Sequence, residues 1–230
     1  MPDPDLKWMP ALGALVELYA DVDRLADRLR ALHGARLRCE RGCHACCVDG
    51  VTVFAVEAEN IRRHHAERLA QANLHPEGGC AFLDSAGACR IYQHRPYVCR
   101  TQGLPLRWIE GRPDGDAVEL RDICPLNEAG DPVETLPPDA CWTIGPFEGR
   151  LAALQSMLDG GRLCRVPLRS LFRRGFPSNA TPWRGMLLPC TGTATARDLP
   201  CAFRRGVVGN AGSNALRAIL RSVTGAAHTP

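Results

Sequence analysis

The chain has 230 residues, 45% of them hydrophobic, so it is long enough to bury a core as one ordinary domain or two small ones. The net charge is only +3, and residues 174–230 hold seven arginines against one acidic residue, which leaves −3 on the first 173 residues. A mildly acidic segment is a poor match for a phosphate backbone, so we expect no nucleic-acid partner.

Twelve cysteines are typical either of a secreted disulfide scaffold or of an intracellular metal site. A signal peptide begins with a basic segment that is followed by an apolar segment. Residues 1–5 contain two acidic residues, and no such apolar segment follows, so we expect no signal peptide. No apolar run reaches the roughly 18 residues that a membrane span needs, so we expect no membrane association. These features predict a cytoplasmic protein whose thiols are available to metals.

The elements predicted in chain order are helices with apolar residues three and four apart, separated by short strands and turn-rich stretches. They are a helix at 10–32, a strand at 51–55, a helix at 57–72, a polar loop at 110–116, a helix at 147–158 and a strand or helix at 165–172. His64 and His65 are predicted to lie on a solvated face of the second helix. This order predicts an α+β fold, a small, turn-rich cysteine-cluster domain with flanking helices and short strands.

The composition changes after about residue 173. Residues 174–230 contain no Glu and no Lys, are rich in Gly, Ala, Thr, Pro, Arg and Ser, and show weak periodicity. Such a composition is partly that of a disordered segment. We therefore expect a metal-binding domain at 1–173, with its core at 38–126, followed by a weakly ordered tail at 174–230.

Four cysteines fall within nine residues, and four more follow at turns. Short loops between cysteines let several sulfurs converge on one ion, in zinc sites and in iron–sulfur sites alike. Gly42 supplies the backbone freedom that such a knuckle needs. The candidate metal ligands are Cys39, Cys43, Cys46, Cys47, Cys80, Cys89, Cys99 and Cys124.

Cys46 and Cys47 are adjacent, and adjacent side chains of an extended segment point in opposite directions. Both sulfurs can reach one metal only if the backbone bends between them. Otherwise they serve two centres, or one is a ligand and the other lies beside the ligands. Eight cysteines would suffice for two four-thiolate sites, and the spacing alone does not assign the sulfurs.

The later cysteines are embedded in a longer pattern. Cys80 opens a Cys-x-Phe-Leu turn, residues 89–100 read Cys-x-Ile-Tyr-x-x-Arg-Pro-x-x-Cys-Arg, and Cys124 is followed by Pro125. With the first cysteine group, this pattern resembles the bacterial CxxCxxCC cysteine-cluster family of zinc- or iron-chelating domains. The resemblance covers roughly 38–126. One spacing departs from it, because Cys39 and Cys43 are separated by three residues where the family name implies two.

The resemblance implies a thiolate-bound metal, and two arginines agree with it. Arg95 and Arg100 flank Cys99 and are the candidate cofactor-binding residues, able to offset the negative charge of four thiolates and to donate hydrogen bonds to sulfur. Related clusters in flagellin lysine methylases favour iron by resemblance. Cys141, Cys164, Cys190 and Cys201 lie outside the pattern.

The function expected from these residues is to hold an iron–sulfur cluster of the [4Fe–4S] type, in redox or protein-modification chemistry. Zinc is the alternative cofactor, because all-sulfur ligation suits both. The chain would then be a structural module for protein interaction or a metal-handling protein. A protein partner is compatible with each of these roles, and the sequence assigns no catalytic residue.

Overall fold

The computed structural model describes residues 8–71, 73–111 and 115–172. Within these ranges the chain forms four α-helices and five short strands, which confirms the predicted α+β class. The helices are α1 (Trp8–Leu32), α2 (Ala55–Ala70), α3 (Tyr97–Arg100) and α4 (Pro146–Asp159). The strands are β1 (Thr52–Phe54), β2 (Leu106–Gly111), β3 (Ala117–Asp122), β4 (Trp142–Thr143) and β5 (Arg165–Pro167).

The three long helices and the first strand lie where the sequence predicts them, with ends shifted by at most two residues. Residues 165–172 form both predicted alternatives, strand β5 and then a 3-10 helix at Leu168–Phe172. Strands β2 and β3, on either side of the predicted loop, pair antiparallel, and the sequence did not predict these two strands. No helix in the described ranges combines the length and the apolar character needed to cross a membrane.

The described residues fall into two compact units. The first contains residues 8–19, 40–96 and 151–172, and the second contains residues 20–39 and 97–150. Each unit is assembled from separated stretches of the chain. The expected domain limits at 1–173 and 38–126 stay a prediction, and the expected tail at 174–230 lies outside the described residues.

The first unit is built on a two-stranded sheet and α2. β1 and β5 pair antiparallel, with Val53 opposite Val166. The buried carboxylate of Glu57, in the first turn of α2, accepts hydrogen bonds from the Phe54 amide (3.1 Å) and the Tyr19 hydroxyl (2.9 Å). A buried charge is tolerated when it is hydrogen-bonded in this way, so Glu57 fixes the start of α2.

The second unit contains a three-stranded sheet of order β3-β2-β4, with β3 antiparallel and β4 parallel to β2. The buried hydroxyl of Tyr97 donates to the Glu148 carboxylate and accepts a hydrogen bond from the Trp142 indole (3.0 Å). Burial raises the pKa of Glu148. Because Tyr97 begins α3, this network anchors the short helix that carries Cys99.

Candidate metal centre

Cys43, Cys46 and Cys47 of the first unit lie in a knuckle whose backbone turns twice. The Cys43 amide donates to the Glu40 carbonyl (3.0 Å), and the Cys47 amide donates to the His44 carbonyl (2.8 Å). Gly42 has φ +92°, a left-handed conformation that side chains rarely adopt. The second turn supplies the backbone bend that Cys46 and Cys47 need if both sulfurs are to reach one metal.

The thiols of Cys46 and Cys47 consequently interact. The Cys47 thiol hydrogen-bonds the Cys46 sulfur and lowers the pKa of Cys46 to about 7. A thiol with such a pKa is ionised in a large fraction of molecules at neutral pH, and the thiolate is the form that binds metals. The Cys46 thiol is thus prepared to act as a ligand.

Two further cysteines of the first unit lie beside the knuckle. The Cys80 amide donates to the Cys47 carbonyl (2.9 Å), and residue 89 pairs with Leu83 in an isolated antiparallel bridge. Burial raises the pKa of both Cys80 and Cys89. Their ionised forms therefore need a nearby positive charge, such as a metal ion, to be stable.

Glycine is required in the turn between these two cysteines. Gly87 has φ +75°, and a Cβ there would lie 2.5 Å from His44 Nδ1 and 3.1 Å from the Gly42 carbonyl. The same His44 nitrogen lies 2.8 Å from the Gly42 carbonyl oxygen. The turn at Gly87 is therefore packed directly against the knuckle.

Arg95, one of the two arginines expected to balance the charge, is buried in the first unit. Its guanidinium lies 4.0 Å from the centroid of the Tyr92 ring and donates to the Tyr92 carbonyl (2.7 Å). Its charge acts on Cys89, where it opposes the burial that raises the pKa of that thiol. The contacts thus hold a fixed positive charge near a candidate ligand.

The remaining three candidates lie in the second unit. Cys99 is on α3, and Cys124 precedes a 3-10 turn at Pro125–Asn127 whose last amide donates to the Cys124 carbonyl (2.7 Å). The Cys39 sulfur accepts a hydrogen bond from the side chain of Asn127 (3.3 Å). This contact was missed by the sequence analysis, because no local spacing joins residues so far apart.

Arg100, the second expected arginine, also lies in this unit and is buried. Its guanidinium forms an ion pair with Asp23, and its carbonyl accepts a hydrogen bond from Arg30 (2.7 Å). Asp23 therefore neutralises at least part of its charge. A role for Arg100 in balancing thiolates stays a prediction.

None of the eight candidate cysteines is in a disulfide. Their chemistry fits zinc or an iron–sulfur cluster, since soft thiolates select both. Within the described ranges, however, no three Cys, His, Asp or Glu side chains are arranged to hold a metal ion. Sulfurs would have to converge when metal binds, and the expectation that all eight share one neighbourhood stays a prediction.

A group of three histidines in the first unit was also missed. His64 stacks on His94 with ring centroids 3.9 Å apart, and His65 Nε2 lies 3.1 Å from His94 Nδ1. His64 is exposed as predicted, but His65 is half-buried and packed against His94 and not fully solvated. The sequence carries no signal for this, because His94 belongs to a different element.

The turn-rich segment at 38–124 holds eight cysteines, none of them in a disulfide, and this donor set fits a metal-binding domain. Residues 38–124 match the model of the CxxCxxCC family, whose description is "Putative zinc- or iron-chelating domain". The resemblance drawn from the sequence is confirmed. The match supports metal binding and does not distinguish zinc from iron. Neither the curated proteins nor the solved structures contain a match to this chain.

Proposed function

We propose that this protein holds an iron–sulfur cluster through the cysteine thiolates of residues 38–124. The observation that carries the proposal is that none of the eight cysteines of the pattern is in a disulfide, and that they lie in a segment matching a zinc- or iron-chelating family model. The proline that follows Cys124 supports an iron–sulfur cluster, because bacterial iron–sulfur motifs also place proline after a cysteine ligand.

The surrounding residues support thiolate ligation in three ways. The Cys46–Cys47 hydrogen bond lowers the pKa of one knuckle thiol, while burial raises the pKa of Cys80 and Cys89 and makes their ionisation dependent on a cation. Arg95 contributes a fixed positive charge. A bound iron–sulfur cluster would supply one-electron chemistry, and we place the protein in redox or protein-modification reactions in the cytoplasm.

Zinc is the second candidate, favoured by the spacing of the knuckle. Two or three residues between cysteines are typical of structural zinc sites, and the first unit alone offers five thiols, more than the four that zinc takes. A zinc-loaded protein would be a structural module for a protein partner or a metal-handling protein.

The metal content of the full chain, purified without oxygen, tests the proposal. We expect iron and acid-labile sulfide in similar amounts, with a broad visible absorption that disappears on oxidation. Cys89→Ser is expected to lower the iron content to less than about half, because a ligand is lost. Cys141→Ser is the matched control, since Cys141 is a buried thiol outside the matched segment, and it should leave the iron content unchanged.

Zinc without iron or sulfide would favour the second candidate. A chain that binds neither metal, or equal metal contents in wild type and Cys89→Ser, would contradict thiolate ligation altogether.

A further inference from the structure

We propose that Asn127 is a positioning residue of the metal centre, acting through the sulfur of Cys39. The inference rests on the proposed metal-binding function and deepens it. Asn127 lies beyond residue 124, where the family match ends. Its side chain contacts the sulfur of Cys39, the one cysteine whose spacing departs from the family pattern.

The amide group of Asn127 is fully buried and held at both ends. Oδ1 accepts a hydrogen bond from the Arg38 amide (2.7 Å), and Nδ2 donates to the Gly103 carbonyl (2.8 Å) and to Cys39 Sγ (3.3 Å). A flipped amide would set oxygen against the Gly103 carbonyl and the NH₂ group against the Arg38 amide. The hydrogen-bond partners therefore fix the orientation in which an N–H group points at the sulfur.

Gly103 shapes the space that the sulfur occupies. It has φ +87°, and a Cβ at this position would lie 2.4 Å from Cys39 Sγ and 3.3 Å from Asn127 Nδ2. Any larger residue would displace the sulfur or the amide. The Gly103 backbone and the Asn127 side chain together define the space that the Cys39 sulfur occupies.

Three cysteine-bearing stretches of the second unit meet at Asn127. Its side chain contacts Cys39, its amide donates to the Cys124 carbonyl (2.7 Å), and Gly103 follows closely after α3, which carries Cys99. The main chain of Asn127 is held in turn by Arg36, whose Nε donates to the Asn127 carbonyl (3.0 Å). Asn127 is therefore placed to orient the stretches that carry these ligands.

The chemistry of the contact agrees with a ligand role for Cys39. An N–H donor aimed at sulfur stabilises the thiolate more than the thiol, because the hydrogen bond to a charged acceptor is stronger. Outer partners of metal ligands typically contribute 10- to 100-fold in metal affinity. Asn127 would hold the Cys39 sulfur in place and offset part of its charge.

A double-mutant cycle with Co²⁺ tests the role of Asn127. The reduced, metal-free full chain is titrated with Co²⁺, and affinity is read from the sulfur-to-cobalt charge-transfer band. Asn127→Asp keeps the size of the residue and the acceptor for Arg38 but replaces the N–H donor with an anionic oxygen. We expect it to weaken Co²⁺ binding about 10- to 100-fold and to shift the band. In a Cys39→Ser background the same substitution should change affinity by no more than about twofold.

Gln155→Glu is the matched control, because it makes the same amide-to-carboxylate change at a buried glutamine whose side chain contacts Val56 and Asp159. It should leave Co²⁺ affinity within about twofold of the wild type. Asn127→Ser removes the donor without adding charge, and it completes the cycle if Asn127→Asp proves too unstable to fold.

The outcomes separate the two proposals. A wild-type chain that shows no thiolate charge-transfer band with Co²⁺ contradicts the proposed metal-binding function. A wild type that binds Co²⁺, with equal losses from the Asn127 substitution in both backgrounds, overturns the role of Asn127 and leaves metal binding standing.

Discussion

His65 interrupts the helical geometry of α2, with φ −133° and ψ 26°. The interruption brings its ring to His94, on which His64 also stacks. Burial, together with the charges of His94, Arg68 and His64, lowers the pKa of His65 to about 4 from the ordinary value of 6.5. The side chain is therefore neutral in the folded protein under conditions where it is protonated in the unfolded chain.

This difference predicts a pH-dependent stability. Between pH 6.5 and about 4 the unfolded chain binds a proton at His65 that the folded protein does not, so the free energy of unfolding falls as the pH falls through this window. Below about pH 4 both states are protonated and the contribution levels off. The effect is reduced by solvent screening, because His65 is only half-buried.

Urea unfolding at pH 7 and pH 4.5 measures the effect. The loss of stability between the two pH values should be smaller in His65→Gln than in the wild type, since the variant has no titrating group there. Identical losses in the two proteins would contradict the assigned cause.

At the scale of elements, the 3-10 helix after β5 holds the loop that leads into Cys80. Arg169 donates to the His75 carbonyl (2.9 Å), the Gly79 carbonyl (2.8 Å) and the Asp49 carboxylate (2.8 Å). The same arginine lines a surface cavity of about 310 Å³ together with Cys80. A residue well beyond the family segment therefore fixes the approach to a candidate ligand.

Replacing Arg169 with Gln should lower the free energy of unfolding by about 2 kcal/mol, because hydrogen bonds from a charged donor to partly buried acceptors are lost. Arg150→Gln is the matched control. Arg150 is half-exposed and pairs with Asp21, so its loss should have an effect of about 0.5 kcal/mol or less. Denaturant unfolding of both variants checks the difference, and equal effects would show that Arg169 does not anchor the loop.

At the scale of the whole molecule, the cysteine-bearing segment differs from α1. α1 is 25 residues long and buries an apolar stripe that includes Leu15, Leu18, Val22 and Leu29. The described residues of the range 38–126 form one long helix, a four-residue helix, three short strands, short 3-10 helices and many turns. Fixing the backbone opposes folding by about 1–2 kcal/mol per residue, and turns bury little apolar surface to offset it.

We therefore expect metal–thiolate bonds to supply part of the stability of residues 38–126. Removing the metal should reduce hydrogen-exchange protection in this segment by about tenfold or more, while α1 keeps most of its protection. Cys99→Ser should resemble metal removal. Unchanged protection across 38–126 in the metal-free protein would mean that the fold does not depend on the metal.

Local sequence was enough to predict the three long helices, the α+β class and the match to the cysteine-cluster family. Helix periodicity and cysteine spacing are properties of neighbouring residues, so α1, α2 and α4 and the matched segment at 38–124 could be read directly. The bend at Cys46 and Cys47 was expected as a condition for both thiols to act together, and the turn closed by the Cys47 amide on the His44 carbonyl fulfils it.

Only the tertiary structure decided which distant residues meet. Asn127 reaches Cys39 across 88 positions, Arg169 reaches Gly79 across 90, and His65 reaches His94 across 29. Such contacts depend on how separated stretches fold back on one another, and no periodicity records them. The division into two units, each drawn from separate stretches, is hidden from the sequence for the same physical reason.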